Sequence, residues 1–245
     1  MSSYKEFASI YDALMTDIPY DNYVHKVASC VENVRGKSLL DIGCGTGVLS
    51  AKFAEQGFLV QAVDLSEEML AMASDRFQKE GYNIPLFHLS MTELEGFHDV
   101  DVAILAIDSM NYLEDENQVL QTLTGVYQSL TSGGQLFFDV HSLYKMDELF
   151  LGGPFTYEDE QIAYIWHTEE GEHPHSVYHD LTFFMKNKNG SYDRFEESHF
   201  QRSFEIDTYV DCLRQAGFSQ VKVSADWTNE SPKNKSERVF FHATK

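Results

Sequence analysis

A short apolar run that breaks into closely spaced glycines constrains this chain more than any other feature. Lys37–Ile42 (KSLLDI) is followed by Gly43, Gly45 and Gly47 at every second position, and a helical pattern begins near Thr46 or Gly47. Glycine at such a turn lets the backbone bend sharply and lets a ligand approach with no Cβ in between. An interior glycine costs a strand or helix about 0.5–1 kcal/mol relative to alanine, so three in five residues point to close approach of a bound group. Further apolar runs follow at Phe58–Asp64, Pro85–Leu89, Val102–Ile107 and Gln135–Val140. Between them lie segments of helical spacing, Val48–Gln56, Ser66–Lys79 and Glu114–Leu130. Strands alternating with helices over short connections predict βαβ units, hence a parallel sheet with helices on both faces. Two helical segments, Tyr4–Met15 and Asp21–Asn33, precede the first run and are separated by Pro19.

The pattern changes after His141. Residues 142–151 fit a short helix that stops at Gly152-Gly153-Pro154. Then come long runs of alternating polar and apolar residues, Phe155–Thr168, Ser176–Asn187 and Ser191–Phe204. Asn189-Gly190 predicts a type I′ hairpin, because both central residues of that turn need positive φ. The expectation is an antiparallel β-meander over 155–204, inserted into a single domain that spans 1–245. Glu205–Ala216 is helical again, and Val221–Ala225 and Arg238–Ala243 supply two last strands. The alternating faces of the meander carry Tyr157, Tyr164, Trp166, Tyr178, Phe183, Phe184 and Phe195, and one apolar face must be buried against something. We expect it to roof a substrate pocket or to form a homodimer surface.

Charge and cysteine usage exclude several classes. The net charge is −21 and neither half of the chain is basic, so direct contact with nucleic acid is not expected. Cys30, Cys44 and Cys212 are odd in number and widely spaced, which fits a reduced, cytoplasmic protein without a disulfide framework. No run approaches the roughly 18 apolar residues that span a bilayer. His173, His175 and His179 lack the companion ligands of a zinc site, so no metal is expected.

About 23 residues after Asp41, the second apolar run ends in Val63-Asp64-Leu65. A carboxylate at that tip suits two vicinal ribose hydroxyls, because it accepts both hydrogen bonds. Ser66 already serves as a helix cap with Met69 in the first turn, which leaves Asp64 free for this task. A dinucleotide site prefers G-x-G-x-x-G and a helix N-terminus facing a pyrophosphate. The spacing here is G-x-G-x-G, and Asp41 would repel a pyrophosphate but attract a cation. S-adenosyl-L-methionine, with its sulfonium and α-ammonium, satisfies that charge logic.

With these residues in place, the chain resembles the class I S-adenosylmethionine-dependent methyltransferases. Leu39–Gly47 (LLDIGCGTG) and Ala62–Leu70 (AVDLSEEML) look like that family's first two motifs. The resemblance implies a Rossmann-like α/β fold with a seven-stranded, mostly parallel sheet. It implies cofactor contacts from Asp41, Gly43, Cys44, Gly45, Gly47, Asp64, Leu65, Met69, Ser90, Met91 and Asp108. Ser90-Met91 stands where the family usually carries Asp followed by an apolar residue, leaving the backbone N–H of Met91 to read the adenine. A narrower resemblance, to small-molecule enzymes including aminosugar N-methyltransferases and an uncharacterised bacterial subfamily, rests on Tyr4-x-x-Phe7-Ala8-x-x-Tyr11-Asp12 and on the meander. It implies that Tyr11 lines the transfer site.

The expected reaction is in-line methyl transfer to nitrogen or oxygen of a small molecule. Tyr11, Asp108 and Asn111 are candidate walls of the transfer site, and His141 is a candidate base. A nicotinamide-dependent reductase is disfavoured by the glycine spacing and by the lack of any Tyr-x-x-x-Lys pair. A tRNA- or protein-directed enzyme working with a partner, and a non-catalytic cofactor-binding regulator, remain as alternatives.

Overall fold

The computed structural model describes residues 18–187 and 189–245. In chain order the elements are α1 (Tyr20–Ala28), β1 (Ser38–Ile42), α2 (Val48–Glu55), β2 (Leu59–Asp64), α3 (Glu67–Glu80), β3 (Leu86–His88), β4 (Val100–Leu105), α4 (Glu116–Ser129), β5 (Leu130–His141), β6 (Phe155–Glu158), β7 (Ile162–Glu170), β8 (Ser176–Lys186), β9 (Tyr192–Arg202), α5 (Ile206–Ala216), β10 (Gln220–Ala225) and β11 (Arg238–Thr244).

Leu39, Leu40 and Ile42 are all buried, which explains why β1 is apolar on both sides apart from Asp41: both faces of the sheet are covered. One face packs Val119, Leu123 and Val126 of α4 with Tyr209 and Leu213 of α5. The other packs Tyr23 and Val27 of α1, Leu49 and Phe53 of α2, and Leu70 and Phe77 of α3. The strand order is β10-β11-β5-β4-β1-β2-β3, a seven-stranded sheet in which β1 to β5 run parallel and β11 runs antiparallel to both neighbours. The order reverses between β4 and β1, so a crevice forms beyond their carboxyl ends, where open α/β sheets bind ligands.

Residues 155–202 form a second, four-stranded antiparallel sheet, β6-β7-β8-β9. The run Phe155–Thr168 is two strands rather than one. Asp159 breaks it, because its carboxylate accepts the N–H groups of Gln161 and Ile162, each at 2.8 Å. The turn between β8 and β9 is not type I′. Gly190 has positive φ (85°), and its N–H donates to Asn187 O at 2.9 Å, one residue earlier than a turn centred on Asn189-Gly190 would close. The ladders sort the aromatic residues of the meander between its two faces. Phe155, Tyr157, Tyr164, Trp166, Phe183 and Phe195 share one side, whereas Tyr178 and Phe184 lie on the other with Asp180, Ser198 and Glu196.

Other boundaries move for local reasons. α1 ends at Ala28, not Asn33. The segment after β5 forms a π turn over Lys145–Leu149 and a 3-10 turn over Phe150–Gly152, in place of a regular helix. β4 stops at Leu105, two residues before the predicted end, because the next amides are captured by a side chain of β5. The predicted helix Tyr4–Met15, with Phe7, Ala8, Tyr11 and Asp12, lies outside the described residues.

Candidate active site

The glycine turn after β1 is closed by its own surroundings. Gly43 N and Cys44 N both donate to Val63 O (2.8 and 3.0 Å), Gly45 N donates to Asp64 Oδ2 (2.7 Å), and Gly47 N donates to Cys44 O (3.0 Å). These four amides are therefore engaged, and the turn is no ready-made phosphate cradle. All three glycines have positive φ, but for different ends. A Cβ on Gly43 would sit 2.8 Å from Ser109 Oγ, and one on Gly47 would strike the Phe77 ring at 2.7 Å. A Cβ on Gly45 meets nothing within 4 Å, so this glycine alone presents bare backbone to open space.

Asp64, at the end of β2, also accepts from Ser66 N at 2.9 Å, so its carboxylate keeps two of about four lone-pair sites for a ligand. Beside it Leu65 is 68% exposed, an apolar side chain just past the tip of the strand. Ser66 caps α3 by accepting from Met69 N (3.2 Å). The Met91 methyl lies 4.0 Å from the Cβ position of Gly43, and Ser90 Oγ pairs with Thr92 Oγ1 at 2.8 Å. Cys44 is buried and burial pushes its thiol up, so it packs as a small apolar side chain.

Asp41 is buried below the turn, with Ser50 Oγ donating to it at 2.5 Å. Burial raises its pKa to about 7; the Ser50 hydrogen bond counteracts that rise and the Asp64 charge adds to it. A folded-state pKa above the unfolded 3.8 favours the protonated native form. Its contribution to stability is therefore full below pH 3.8, declines as pH rises, and is lost above about pH 7. Cofactor-stripped Asp41→Asn, neutral throughout, should gain melting temperature over the parent between pH 4 and 7 and keep a constant margin above. Parallel curves from scanning calorimetry at several pH values would contradict this.

A second cluster sits beyond β4 and β5. Ile107 and Asp108 adopt left-handed backbone (φ 58° and 53°), costing on the order of 1–3 kcal/mol each. The Asp108 carboxylate accepts from Arg238 Nη2 (2.9 Å) and Gln201 Nε2 (3.0 Å), and His141 Nε2 stands 3.3 Å from its Oδ2. Burial alone would raise this carboxyl, but the adjacent His141 ring and Arg238 guanidinium outweigh it and hold the group well below the usual carboxylate range. Burial pushes His141 down in turn, so at neutral pH the guanidinium is the cation that keeps Asp108 ionised. Asn111 does not wall the cleft. It is 0% exposed, accepts from His141 N (2.9 Å) and donates to Arg202 O (2.8 Å), which ties the meander to β5.

The meander touches this cluster through Gln201 and His199. His199 meets Tyr112 edge-on (5.9 Å between ring centroids), and His179 accepts a hydrogen bond from Trp166 Nε1 at 3.1 Å. Phe150 wedges between His141 and His179, at 5.0 and 4.7 Å. His175, by contrast, turns away to Asp147 (2.8 Å), and no group of three or more metal-ligating side chains occurs among the described residues. Tyr11 lies outside those residues. The sequence reading overlooked Asp139, Arg238, Tyr23 and Gln201. An acid inside the apolar run Leu136–Val140 was the available signal, since a carboxylate in a covered strand needs partners.

The fold and cleft define a Rossmann-like enzyme of the methyltransferase type, and comparison with known proteins agrees. Residues 39–134 match a methyltransferase domain. A relative from Geobacillus sp. (strain WCH70), named provisionally as a methyltransferase, is 46% identical over 99% of this chain and 100% of its own. The crystal structure of a S-adenosylmethionine-dependent methyltransferase from Clostridium acetobutylicum ATCC 824 superposes with a TM-score of 0.89 at 27% identity, covering 99% of this chain and 98% of that one. CalS10, an amino pentose methyltransferase from Micromonospora echinaspora solved with S-adenosylmethionine bound, shares the fold (TM-score 0.70, 17% identity, 96% of each chain). The chain belongs to the class I S-adenosylmethionine-dependent methyltransferases. Its cofactor is S-adenosylmethionine, and the cleft fits that group: open space over Gly45, an exposed apolar tip at Leu65, and carboxylates with engaged amides where a pyrophosphate would need the reverse. No helix among the described residues is long and apolar enough to cross a membrane.

Proposed function

We propose that this methyltransferase acts on a small molecule, transferring the methyl group to nitrogen or oxygen, with the meander as the roof of the acceptor pocket. The observation that carries the reading is the junction of the two sheets. The meander side that bears Trp166, Tyr164 and Phe183 also bears Gln201, whose side chain bonds Asp108 at the carboxyl end of β4. An aromatic wall beside a buried polar cluster suits a compact acceptor with an apolar body and one polar atom. The net charge of −21 supports a partner that is not a polyanion.

In this reading Asp64 accepts the ribose hydroxyls and Leu65, Ser90 and Met91 border the adenine. Gly43, Gly45 and Gly47 shape the turn, and Met69 and Cys44 pack around it. A bound cationic methionine portion would in turn favour the ionised form of Asp41, buried below the turn. When bound, S-adenosylmethionine supplies an electrophilic methyl on a neutral leaving group. What remains for the chain is to align the acceptor atom and to exclude water. Asp108 holds the acceptor side as a fixed anion, and neutral His141 stands beside it as the nearest group able to take a proton. The test uses S-adenosylmethionine labelled in its methyl group and a fractionated bacterial extract. Label should enter the low-mass fraction. Incorporation confined to RNA or protein would overturn the small-molecule reading.

A further inference from the structure

Arg238 and Asp139 play no part in the expected chemistry, yet they surround the strained corner at the end of β4. Asp139 Oδ1 accepts from Ile107 N (2.9 Å) and its Oδ2 accepts from Asp108 N (3.2 Å), so one carboxylate holds both left-handed residues. Tyr23 of α1 donates to the same Oδ2 at 3.1 Å. Arg238 of β11 bonds Asp139 through Nη1 and Asp108 through Nη2, and its Nη1 also meets Tyr23 Oη at 3.2 Å. Asp139 is 1% exposed, and the Arg238 guanidinium is the cation placed directly against it. A covered strand is a costly place for an ion pair, and its same-face neighbours Phe137 and Phe240 show that apolar side chains fit there.

We propose that Asp139 and Arg238 are positioning residues. They clamp Ile107-Asp108 in the left-handed conformation and so fix the Asp108 carboxylate at the acceptor side of the cleft. The functional half of the proposal rests on the reading of Asp108 as a border of the transfer site. The geometric half stands on the hydrogen bonds alone. A β-branched residue at φ 58° returns to ordinary backbone when nothing holds its amide. Relaxation there swings the Asp108 carboxylate away from Gln201 and His141, and displacements of about 1 Å near a reacting centre cost about a hundredfold in rate.

The experiment has two independent arms. Amide hydrogen exchange by NMR on the full chain reads the clamp without any acceptor. In Arg238→Met, exchange at Ile107 and Asp108 should quicken by about tenfold or more, while core amides of β1 and β2 stay within about twofold. Methyl transfer to the labelled low-mass fraction of the parent should fall by about a hundredfold, with S-adenosylhomocysteine affinity changed by less than about threefold. Arg238→Lys, which keeps the charge but loses the fork, should recover part of both losses. If Arg238→Met does not fold, Asp139→Asn, which keeps the volume and one acceptor, gives the same two readings. Unchanged exchange at Ile107 and Asp108 overturns the clamp. Faster exchange with undiminished transfer overturns the positioning role. A parent enzyme that labels nothing of low mass fails the small-molecule reading, while the exchange arm still decides the clamp.

Discussion

Asp64→Ala is expected to weaken S-adenosylhomocysteine binding by about a hundredfold or more. The carboxylate already accepts from Gly45 N and Ser66 N, and in the proposed complex its remaining lone pairs take two ribose hydroxyls. Hydrogen bonds to a charged group contribute about 1.5–3 kcal/mol each, so losing two removes about 3–6 kcal/mol. Loss of the Gly45 tether loosens the turn as well and adds to the effect. Titration calorimetry measures it directly. A cofactor analogue without the 2′ and 3′ hydroxyls separates the two contributions, because it should bind the parent and the variant with affinities that differ only by the cost of the loosened turn. Equal affinity of parent and variant for intact S-adenosylhomocysteine would remove Asp64 from the site.

Gly45→Val should abolish measurable S-adenosylhomocysteine binding while leaving a folded protein. The Cβ of residue 45 points into open space, so the isopropyl group meets no protein atom at its root and instead fills the cleft. The positive φ of 54° adds strain of roughly 1–2 kcal/mol, which lowers the melting temperature by only a few degrees in a chain of this size. The same substitution at Gly47 should behave in the opposite way. There the Cβ would collide with Phe77 and Ala73, so stability should fall first. Circular dichroism melts beside calorimetric titrations distinguish the two. A Gly45→Val protein that melts normally and binds normally would show that the open space is not where the cofactor lies.

Much of this molecule was legible in the order of its residues. The alternation of apolar runs and helical segments, the break into glycines after Asp41, and the acid at the tip of the second run are local patterns. They mark β1, α2 and β2 within a residue or so because hydrophobic periodicity and turn chemistry act over short stretches of chain. The same patterns carried the resemblance that the relatives bear out.

The clamp around Asp108 could not be read that way. Arg238 lies 99 residues from Asp139 and 130 from Asp108, and Tyr23 lies 116 residues from Asp139. No periodicity links positions so far apart; only the placement of β11 beside β5, with α1 laid over the sheet, brings them within hydrogen-bonding distance. Asn111 likewise reads as a cleft residue in sequence. Folding turns both ends of its amide to backbone groups of β5 and β9. The three glycines look alike in the sequence and are separated only by what surrounds them: a serine, open space and a phenylalanine. Residue order alone was enough to say which elements form and where the glycine turn and the acid-tipped strand fall, because those depend on local patterning. Folding alone settled which buried charges answer one another and which of the three glycines has open space beside it, because those depend on neighbours supplied by distant segments of the chain.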